Sequence, residues 1–290
     1  MTEGVLLGSG LDREEILELL RTALDEDLRY GPDITSVATV PADAVAEASV
    51  VSRGHGTVAG IDVGLLVLDE VIGAGEYQVL ERVADGTRVT PGQAVLTVSA
   101  PTRGLLTAER TMLNLLCHLS GIASATAQWV QAVDGTAAKI RDSRKTLPGL
   151  RGLQKYAVRV GGGVNHRMGL GDAALIKDNH VSAAGSVVAA LRAVRAAAPD
   201  LECEVEVDDP KQLEEVLAEG AELVLLDNFP LWQTQMAVQK RDAISPSTKL
   251  ESSGGLTLDV AADYAATGVD FLAVGALTHS VGVLDLGLDM

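Results

Sequence analysis

The chain has 290 residues, 47% of them apolar, and a net charge of −17 at pH 7. This length allows one large or two modest domains with a well-packed core. The acidic charge excludes general binding to nucleic acids and to membrane surfaces, because both are anionic. No apolar run reaches the length of a membrane span, and residues 1–10 lack the pattern of a signal peptide, so we expect a cytoplasmic protein.

The first hundred residues predict a helix followed by short strands. Residues 12–28 form an acidic amphipathic pattern, in which Asp12 is a candidate helix cap and Glu15 a candidate partner in a capping box. Alternating polar and apolar residues separated by glycine-rich turns then predict strands. The predicted strands are 45–53, 57–61, 77–83 and 94–98.

A helical stretch over residues 105–119 and 124–133 connects this region to the next one. Arg110 and Asn114 fall on one helical face, opposite a mostly apolar face. From the pattern alone Arg110 is a surface or interface residue, and His118 is a core histidine. The two cysteines, Cys117 and Cys203, lie far apart in apolar surroundings and predict neither a disulfide nor a zinc site.

From residue 137 onward a strand-then-helix unit repeats, which predicts a parallel sheet with right-handed crossovers. The predicted strands are 137–141, 174–177, 203–207, 223–226, 249–252 and 271–274, and the predicted helices are 182–198, 211–218, 232–240 and 258–266. Six or seven units are too few for a complete eight-unit barrel. We therefore predict an α/β protein with a sandwich-like α+β domain (residues 1–115) and an incomplete six- to seven-stranded α/β barrel (116–280). Residues 281–290 are a candidate addition to the first domain, and an open doubly wound sheet is the alternative fold.

The segment from Lys139 to Lys177 has a charge opposite to that of the whole chain. It contains nine Lys or Arg residues and two acids, a net charge of +7. Concentrating cations in one segment costs electrostatic repulsion, which a bound anion would offset. The alternative is a solvated basic helix face. The pattern favours a small anion in a pocket.

Polar residues follow each predicted strand of the second region. They are residues 141–145, 177–180, 204, 206 and 208, 227–228, 251–255, and Gly275. Carboxyl ends of parallel strands meet at one edge, so these tips predict a site. Glu204, Glu206 and Asp208 share one face of a strand, where they need cations or a divalent metal held together with Asp227.

Two late glycine-containing loops are candidate phosphate sites. E-S-S-G-G-L, which contains Ser253 and Gly254, is predicted to open a helix whose backbone N–H groups face an anion. V-G-A-L-T-H, which contains Gly275 and His279, follows the last predicted strand in the same way. Ordinary helix capping is the alternative for each loop.

Several of these motifs together resemble the quinolinate phosphoribosyltransferase family, the type II phosphoribosyltransferases. They are A-E-R-T-M-L-N-L, R-D-S-R-K-T-L-P-G-L-R, G-G-G-V-N-H-R, A-L-I-K-D-N-H, E-V-E-V, L-L-D-N-F and E-S-S-G-G. The resemblance extends over nearly the whole chain. One departure is Ser143, where the family usually has Thr; the hydroxyl is retained.

The resemblance implies transfer of phosphoribosyl from 5-phosphoribosyl-1-pyrophosphate to quinolinate with decarboxylation, which gives nicotinate mononucleotide, pyrophosphate and CO2 for NAD synthesis. The implied quinolinate-binding residues are Arg110, Arg144, His166, Arg167 and Lys177. The implied donor-binding residues are Lys145, Glu206, Asp227, Ser253, Gly254, Gly275 and His279. Lys145, Lys177, Glu206 and Asp227 are the implied catalytic residues.

The resemblance also implies Mg2+, held by Glu206 and Asp227 largely through the donor substrate, and a homodimer or higher assembly of dimers in which Arg110 reaches a neighbouring active site. Two other hypotheses remain. In one, Lys177 is the Schiff-base lysine of an α/β-barrel aldolase. In the other, the chain is a non-catalytic relative associated with molybdenum transport, in which some carboxylate-binding residues would be lost.

Overall fold

The computed structural model describes residues 10–290, so most of the stretch in which no signal peptide was expected, residues 1–9, lies outside the described residues. Contacts divide the chain into two compact units. The N-terminal unit contains the residues up to Ala127 together with Leu147–Gly161 and Ser280–Met290, and the barrel unit contains Gln128–Thr146 and Gly162–His279. No helix within residues 10–290 has the length and apolar character that crossing a bilayer requires.

The N-terminal unit begins with the predicted amphipathic helix. Helix α1 is Arg13–Leu28, and the side chain of Asp12 accepts hydrogen bonds from the backbone N–H groups of Glu14 (2.8 Å) and Glu15 (3.2 Å). This cap satisfies two donors that the first helical turn leaves unpaired. The cap at Asp12 is therefore confirmed.

A four-stranded antiparallel sheet forms the centre of this unit, in the order β12-β1-β5-β3. The C-terminal strand β12 pairs along β1, so the end of the chain completes the sheet. The elements are α2 (Ile34–Thr39), β1 (Val45–Ser52), β2 (Gly56–Thr57), α3 (Ile61–Ile72), β3 (Gln78–Arg82), β4 (Arg88–Val89), β5 (Ala94–Pro101) and β12 (Leu286–Asp289).

The predicted strand 57–61 is wrong beyond its first residue, because Ile61 begins helix α3. The carboxylate of Asp85 accepts hydrogen bonds from the backbone N–H groups of Gly60 (2.7 Å) and Ile61 (3.0 Å) and so caps this helix from a distant loop. Helix α3 is buried along its first eight residues. These eight residues form a mostly apolar run, which periodicity alone does not distinguish from a buried strand, so the sequence did not reveal the helix.

The predicted interruption of the connecting helix is also wrong. Helix α4 is one element of 31 residues, Thr102–Ala132. Gly121 lies inside it, and a Cβ atom there would come within 2.2 Å of the carbonyl oxygen of Gly282. Glycine is therefore needed here for the close approach of the C-terminal segment, and it does not end the helix.

Six parallel strands form the barrel unit, in the order β6-β11-β10-β9-β8-β7. Strands β7 to β11 lie side by side in chain order and β6 pairs with β11, which is the order of a barrel left unclosed between β6 and β7, so the predicted incomplete α/β barrel is confirmed. The strands are β6 (Lys139–Arg141), β7 (Ala174–Ile176), β8 (Cys203–Val207), β9 (Leu223–Asp227), β10 (Lys249–Ser253) and β11 (Phe271–Ala273). Helix α5 (Arg151–Val160) follows β6 in the chain and belongs to the N-terminal unit. The helices of the barrel unit are α6 (Asp178–Ala184), α7 (Val187–Ala197), α8 (Pro210–Ala218), α9 (Leu231–Ile244), α10 (Ala261–Ala266) and α11 (Ala276–His279).

Two predicted helices of this region need correction. The helix predicted at 182–198 is two helices, because Gly185 adopts a left-handed conformation (φ 88°) and Ser186 caps the second one. The helix predicted to open at E-S-S-G-G-L begins later, as a 3-10 turn at Leu258–Val260 that leads into α10. The glycine loop after β10 is therefore irregular backbone.

Candidate active site

The carboxyl ends of the six strands border a cavity of about 390 Å³. It brings together nine of the predicted site residues, namely Arg144, Lys145, His166, Arg167, Lys177, Glu206, Asp227, Ser253 and Gly275. Asp142, Ser143, Leu175, Leu225, Glu251 and Ala273 complete the lining. The expectation that strand ends carry the site is thus met by residues from all six strands or the loops after them.

Two arginines in this cavity lack partners for buried donors. The Nε atoms of Arg144 and Arg167 are buried, and neither donates a hydrogen bond within the described residues. Burial, and then the nearby charge of Arg144, lower the pKa of Arg167 from its ordinary value. The Arg167 guanidinium nevertheless stays protonated at neutral pH. Neighbouring cations with unused donors form a site for an anion, and planar carboxylates fit them best.

His166 lines the cavity but has both ring nitrogens engaged. Its Nε2 atom lies 2.6 Å from Glu204 Oε2, and its Nδ1 atom accepts a hydrogen bond of 2.7 Å from the backbone N–H of Arg167. Because the backbone group can only donate, Nδ1 carries no proton and Nε2 carries it. The ring nitrogens of this neutral histidine hold the loop in place, and its direct contact with a substrate carboxylate stays a prediction.

A network of buried charged residues adjoins the cavity through His166 and Glu251, which line it. Arg141 Nη1 donates to Glu251 Oε2 at 2.8 Å, and the guanidinium stacks 4.8 Å from the ring centre of Phe271. Glu204 and Glu251 are almost completely buried, and burial raises the pKa of each carboxyl to about 7. Each keeps one carboxylate oxygen, Oε1, without a hydrogen-bond partner among residues 10–290.

His166, Glu204 and Glu251 place possible metal-ligand atoms within 4.8 Å of one another. The hydrogen bonds disfavour a metal there. A metal on Nε2 would displace the proton that this tautomer needs, and the Arg141 guanidinium already neutralises Glu251. We therefore interpret these three side chains as structural residues that hold the cavity lining in place.

Lys177 and Glu206 form a hydrogen-bonded ion pair across the ends of β7 and β8. Nearby, the carbonyl of Lys145 accepts from Thr278 Oγ1 at 2.8 Å, which fixes the loop after β6. A Cβ atom at Gly275 would lie 3.1 Å from Lys145 Cδ and 3.7 Å from His279 Nε2. Glycine at this position therefore leaves room for the Lys145 and His279 side chains beside the last strand.

A second part of the cavity lining, formed by the ends of β9 and β10, consists of acidic side chains and backbone groups. Asp227 ends β9, and Asn228 Nδ2 donates to its Oδ2 atom at 2.8 Å. Ser253 ends β10 and is followed by Gly254, whose φ of 92° is left-handed. Burial, and then the charges of Asp227 and Asp178, raise the pKa of Asp208. This mutual repulsion of carboxylates would be relieved by a bound cation.

The basic segment does not act as one surface. Four of its nine cations line the cavity, namely Arg144, Lys145, Arg167 and Lys177. Helix α5 carries three others, Arg151, Lys155 and Arg159, and belongs to the N-terminal unit; Lys155 is fully buried. The prediction that the whole +7 segment binds an anion is therefore corrected, and the four cations that line the cavity remain as the candidate anion site.

Arg110 lies on α4 in the N-terminal unit, and 67% of its side chain is exposed. It is not among the residues that line the cavity. The sequence placed Arg141, Glu204 and Glu251 among the strand-end residues of the site but did not identify them as buried partners. Burial was the missing information, because a short strand shows which residues share a face but not which face is covered.

Sequence and structure comparisons identify relatives along nearly the whole chain. Residues 33–120 match the family described as quinolinate phosphoribosyl transferase, N-terminal domain, and residues 122–289 match its C-terminal domain. The nicotinate-nucleotide pyrophosphorylase [carboxylating] of Mycobacterium leprae is 70% identical over 94% of this chain and 96% of that protein. A probable enzyme of the same name from Bacillus subtilis is 39% identical over 95% and 93%. The crystal structure of NadC from Streptococcus pyogenes superposes with a TM-score of 0.91 at 38% identity, covering 97% of both chains.

Proposed function

The chain belongs to the quinolinate phosphoribosyltransferase family, and we propose that its cavity holds quinolinate beside Arg144 and Arg167 and the phosphoribosyl donor beside Asp227 and Ser253. The enzyme transfers phosphoribosyl from 5-phosphoribosyl-1-pyrophosphate to quinolinate with decarboxylation. The products are nicotinate mononucleotide, pyrophosphate and CO2, and the reaction serves NAD biosynthesis. It is a pentosyltransferase.

The arginine pair carries the assignment of the acceptor site. Quinolinate is a dianion with two adjacent planar carboxylates, and the buried Nε donors of Arg144 and Arg167 are unused within the described residues. Each charged hydrogen bond that they form is worth about 1.5–3 kcal/mol before ordering costs. Lys177 supplies a third cation at the same cavity. His166 holds the backbone of Arg167, so its role is first to orient this arginine.

The phosphoribosyl donor fits the part of the cavity formed by the ends of β9 and β10, which we call the donor wall. Ser253 and Gly275 line the cavity and offer hydroxyl and backbone donors for the 5-phosphate, and Lys145 lies beside Gly275. Gly254 and His279 do not line the cavity but adjoin these two residues, where they would add backbone and ring donors. Glu206 and Asp227 offer carboxylate oxygens, which Mg2+ prefers. The repulsion that raises the pKa of Asp208 fits a cation at this wall. When bound, Mg2+ would neutralise the negative charge that the departing pyrophosphate gains.

The protein's part in the chemistry is electrostatic. As the bond from the anomeric carbon to pyrophosphate breaks, positive charge develops on the ribose, and the Glu206 and Asp227 carboxylates stabilise it. The pyridine nitrogen of quinolinate forms the new bond to this carbon. The bond to the adjacent carboxylate then breaks, its electron pair passes into the cationic ring, CO2 leaves and the ring carbon takes up a proton. No side chain forms a covalent bond.

Lys177 Nζ is hydrogen-bonded to the Glu206 carboxylate, and the contact engages the nitrogen that a Schiff base would need, so the aldolase hypothesis has no support in the geometry. The hypothesis of a non-catalytic relative is likewise without support, because the predicted cavity cations are all in place.

We further propose that the active enzyme is a dimer or an assembly of dimers. Arg110 is the predicted quinolinate-binding residue that does not line the cavity, and its exposed side chain suits a contact with the cavity of a second copy. We also propose a cytoplasmic location, with which the two free thiols, Cys117 and Cys203, are consistent.

The test is a product assay with two acceptors. Purified protein is given 5-phosphoribosyl-1-pyrophosphate with quinolinate or with nicotinate, which lacks the second carboxylate, in the presence and absence of Mg2+. We expect CO2 and nicotinate mononucleotide from quinolinate only, and only with the metal. Equal turnover of nicotinate would contradict the role of the arginine pair, and turnover after complete chelation would contradict the role of Mg2+.

A further inference from the structure

Asn228 has an unusual backbone conformation at the edge of the cavity. Its φ of 55° makes it the one residue other than glycine with a positive φ in the described part of the chain. This conformation is unfavourable for residues with a Cβ atom, although Asn tolerates it better than most. Backbone strain at a residue of this kind is typical of functional sites.

Three contacts connect Asn228 to the donor wall. Its side-chain Nδ2 donates to Asp227 Oδ2 at 2.8 Å, and its backbone N–H donates to the carbonyl of Ser253 at 2.9 Å. Its side-chain oxygen lies directly over Gly254, where an added Cβ atom would come within 2.2 Å of it. The left-handed backbone thus lets one residue reach the end of β9 and the loop after β10 together.

The core does not require this side chain. Asn228 is exposed, whereas the neighbouring Phe229 is 3% exposed and accepts a hydrogen bond of 3.0 Å from Tyr264. Pro230 then caps helix α9. The loop is therefore anchored by Phe229 and Pro230, and the amide of Asn228 is directed at Asp227 instead.

We infer that Asn228 is a positioning residue for the phosphoribosyl donor. Its amide orients the Asp227 carboxylate, and its backbone N–H and side-chain oxygen fix the Ser253–Gly254 loop at a set distance from that carboxylate. Asn228 thereby connects Asp227, which faces the ribose and the metal, to the Ser253–Gly254 loop, which faces the 5-phosphate. The inference rests on the proposed function, which assigns the donor to Asp227 and Ser253.

Two substitutions separate positioning from backbone conformation. Asn228→Gly keeps the left-handed backbone without strain and removes only the side chain. Asn228→Asp keeps the size and the tolerance of this conformation but replaces the amide donor with a carboxylate beside Asp227. Since the residue is exposed, we expect both variants to fold, with a melting temperature for the glycine variant at or above that of the wild type.

The measurement is steady-state kinetics at fixed Mg2+, together with quinolinate binding by calorimetry in the absence of donor. We expect kcat/KM for 5-phosphoribosyl-1-pyrophosphate to fall about 10- to 100-fold in both variants, as for other residues that orient a ligand or metal group. The dissociation constant for quinolinate should stay unchanged. Wild-type kcat/KM in either variant would overturn the inference, and so would an equal loss of quinolinate binding, which would indicate a general distortion.

Asp227→Asn serves as the control. If it loses turnover while Asn228→Gly does not, the inference fails and the proposed donor site stands. If the wild-type protein forms no nicotinate mononucleotide, the proposed function itself fails.

Discussion

Arg144 and Arg167 lie close enough in one cavity for the charge of the first to lower the pKa of the second, and the buried Nε atom of each has no partner among residues 10–290. Such an arrangement is unfavourable without a counter-ion. Quinolinate supplies two carboxylates at adjacent ring positions, which matches two guanidinium groups. Quinolinate binding should therefore depend on both guanidinium groups.

Replacing Lys177 with Ala should lower kcat by at least about 100-fold, because a cavity cation is lost next to both substrates. The fold should remain, since the Lys177 side chain is 46% exposed and such ion pairs contribute little stability, about 0–1 kcal/mol. Lys211→Ala is the matched control, with a side chain that is 86% exposed on helix α8. Near-normal turnover by Lys177→Ala would refute its role.

Mixing two inactive variants tests the shared site. In a dimer whose sites each combine residues of both copies, Arg110→Ala and Arg144→Ala should each be inactive alone. Subunit exchange should then restore about a quarter of wild-type activity, because half of the dimers are mixed and each has one intact site. Activity of Arg110→Ala alone would contradict the role of Arg110, and absence of recovery after verified exchange would contradict shared sites.

The buried glutamates predict a dependence of stability on pH. Burial raises the pKa of Glu204 from 4.5 to about 7 in the folded state, so the folded protein binds more protons than the unfolded chain between these values. The contribution of Glu204 to the free energy of unfolding therefore falls as pH rises from about 4.5 to about 7.

Replacing Glu204 with Gln should remove this dependence. Relative to the wild type, the variant should gain up to about 3 kcal/mol of unfolding free energy between pH 4.5 and pH 8, measured by urea denaturation. Glu76→Gln, at an exposed position, provides the baseline. A difference between Glu204→Gln and the wild type that does not change with pH would contradict the raised pKa.

Two glycines that lie in helices should respond oppositely to alanine. At Gly121 a Cβ atom would come within 2.2 Å of the Gly282 carbonyl, so the C-terminal segment must move. We expect a loss of about 2–4 kcal/mol, which exceeds the helix-propensity gain of about 1 kcal/mol. At Gly152 nothing lies within 4 Å of the added atom, and Ala should be neutral or stabilising. A stable Gly121→Ala variant would contradict the close packing.

The strands of the barrel were predictable to within two residues at each end, because a strand-then-helix unit repeats along this region and polar residues mark the strand ends. Helices were harder. Helix α3 begins with a mostly apolar run that resembles a buried strand, and α5 was hidden within a basic segment that resembled a ligand site. Gly121 resembled a helix break but is required by a contact from the other end of the chain.

The same limits apply to the site. The rule that strand ends meet at one edge placed nine predicted residues around one cavity. The pairing of Arg141 with Glu251 and of His166 with Glu204 depends on distances between strands far apart in sequence. The tautomer of His166 is fixed by a single backbone N–H, which no residue pattern encodes. The exposed position of Arg110, in contrast, was predicted from its place opposite the apolar face of the helix.

Calorimetric titration of quinolinate into the wild type, Arg144→Ala and Arg167→Ala measures whether these two arginines bind the acceptor. Each substitution should weaken binding by about 10- to 100-fold, the worth of a charged hydrogen bond. Arg192→Ala, which removes an exposed pair with Glu219, should bind like the wild type. Unchanged quinolinate affinity in both cavity variants would contradict the binding of quinolinate by Arg144 and Arg167, and would indicate that the acceptor binds in another part of the cavity.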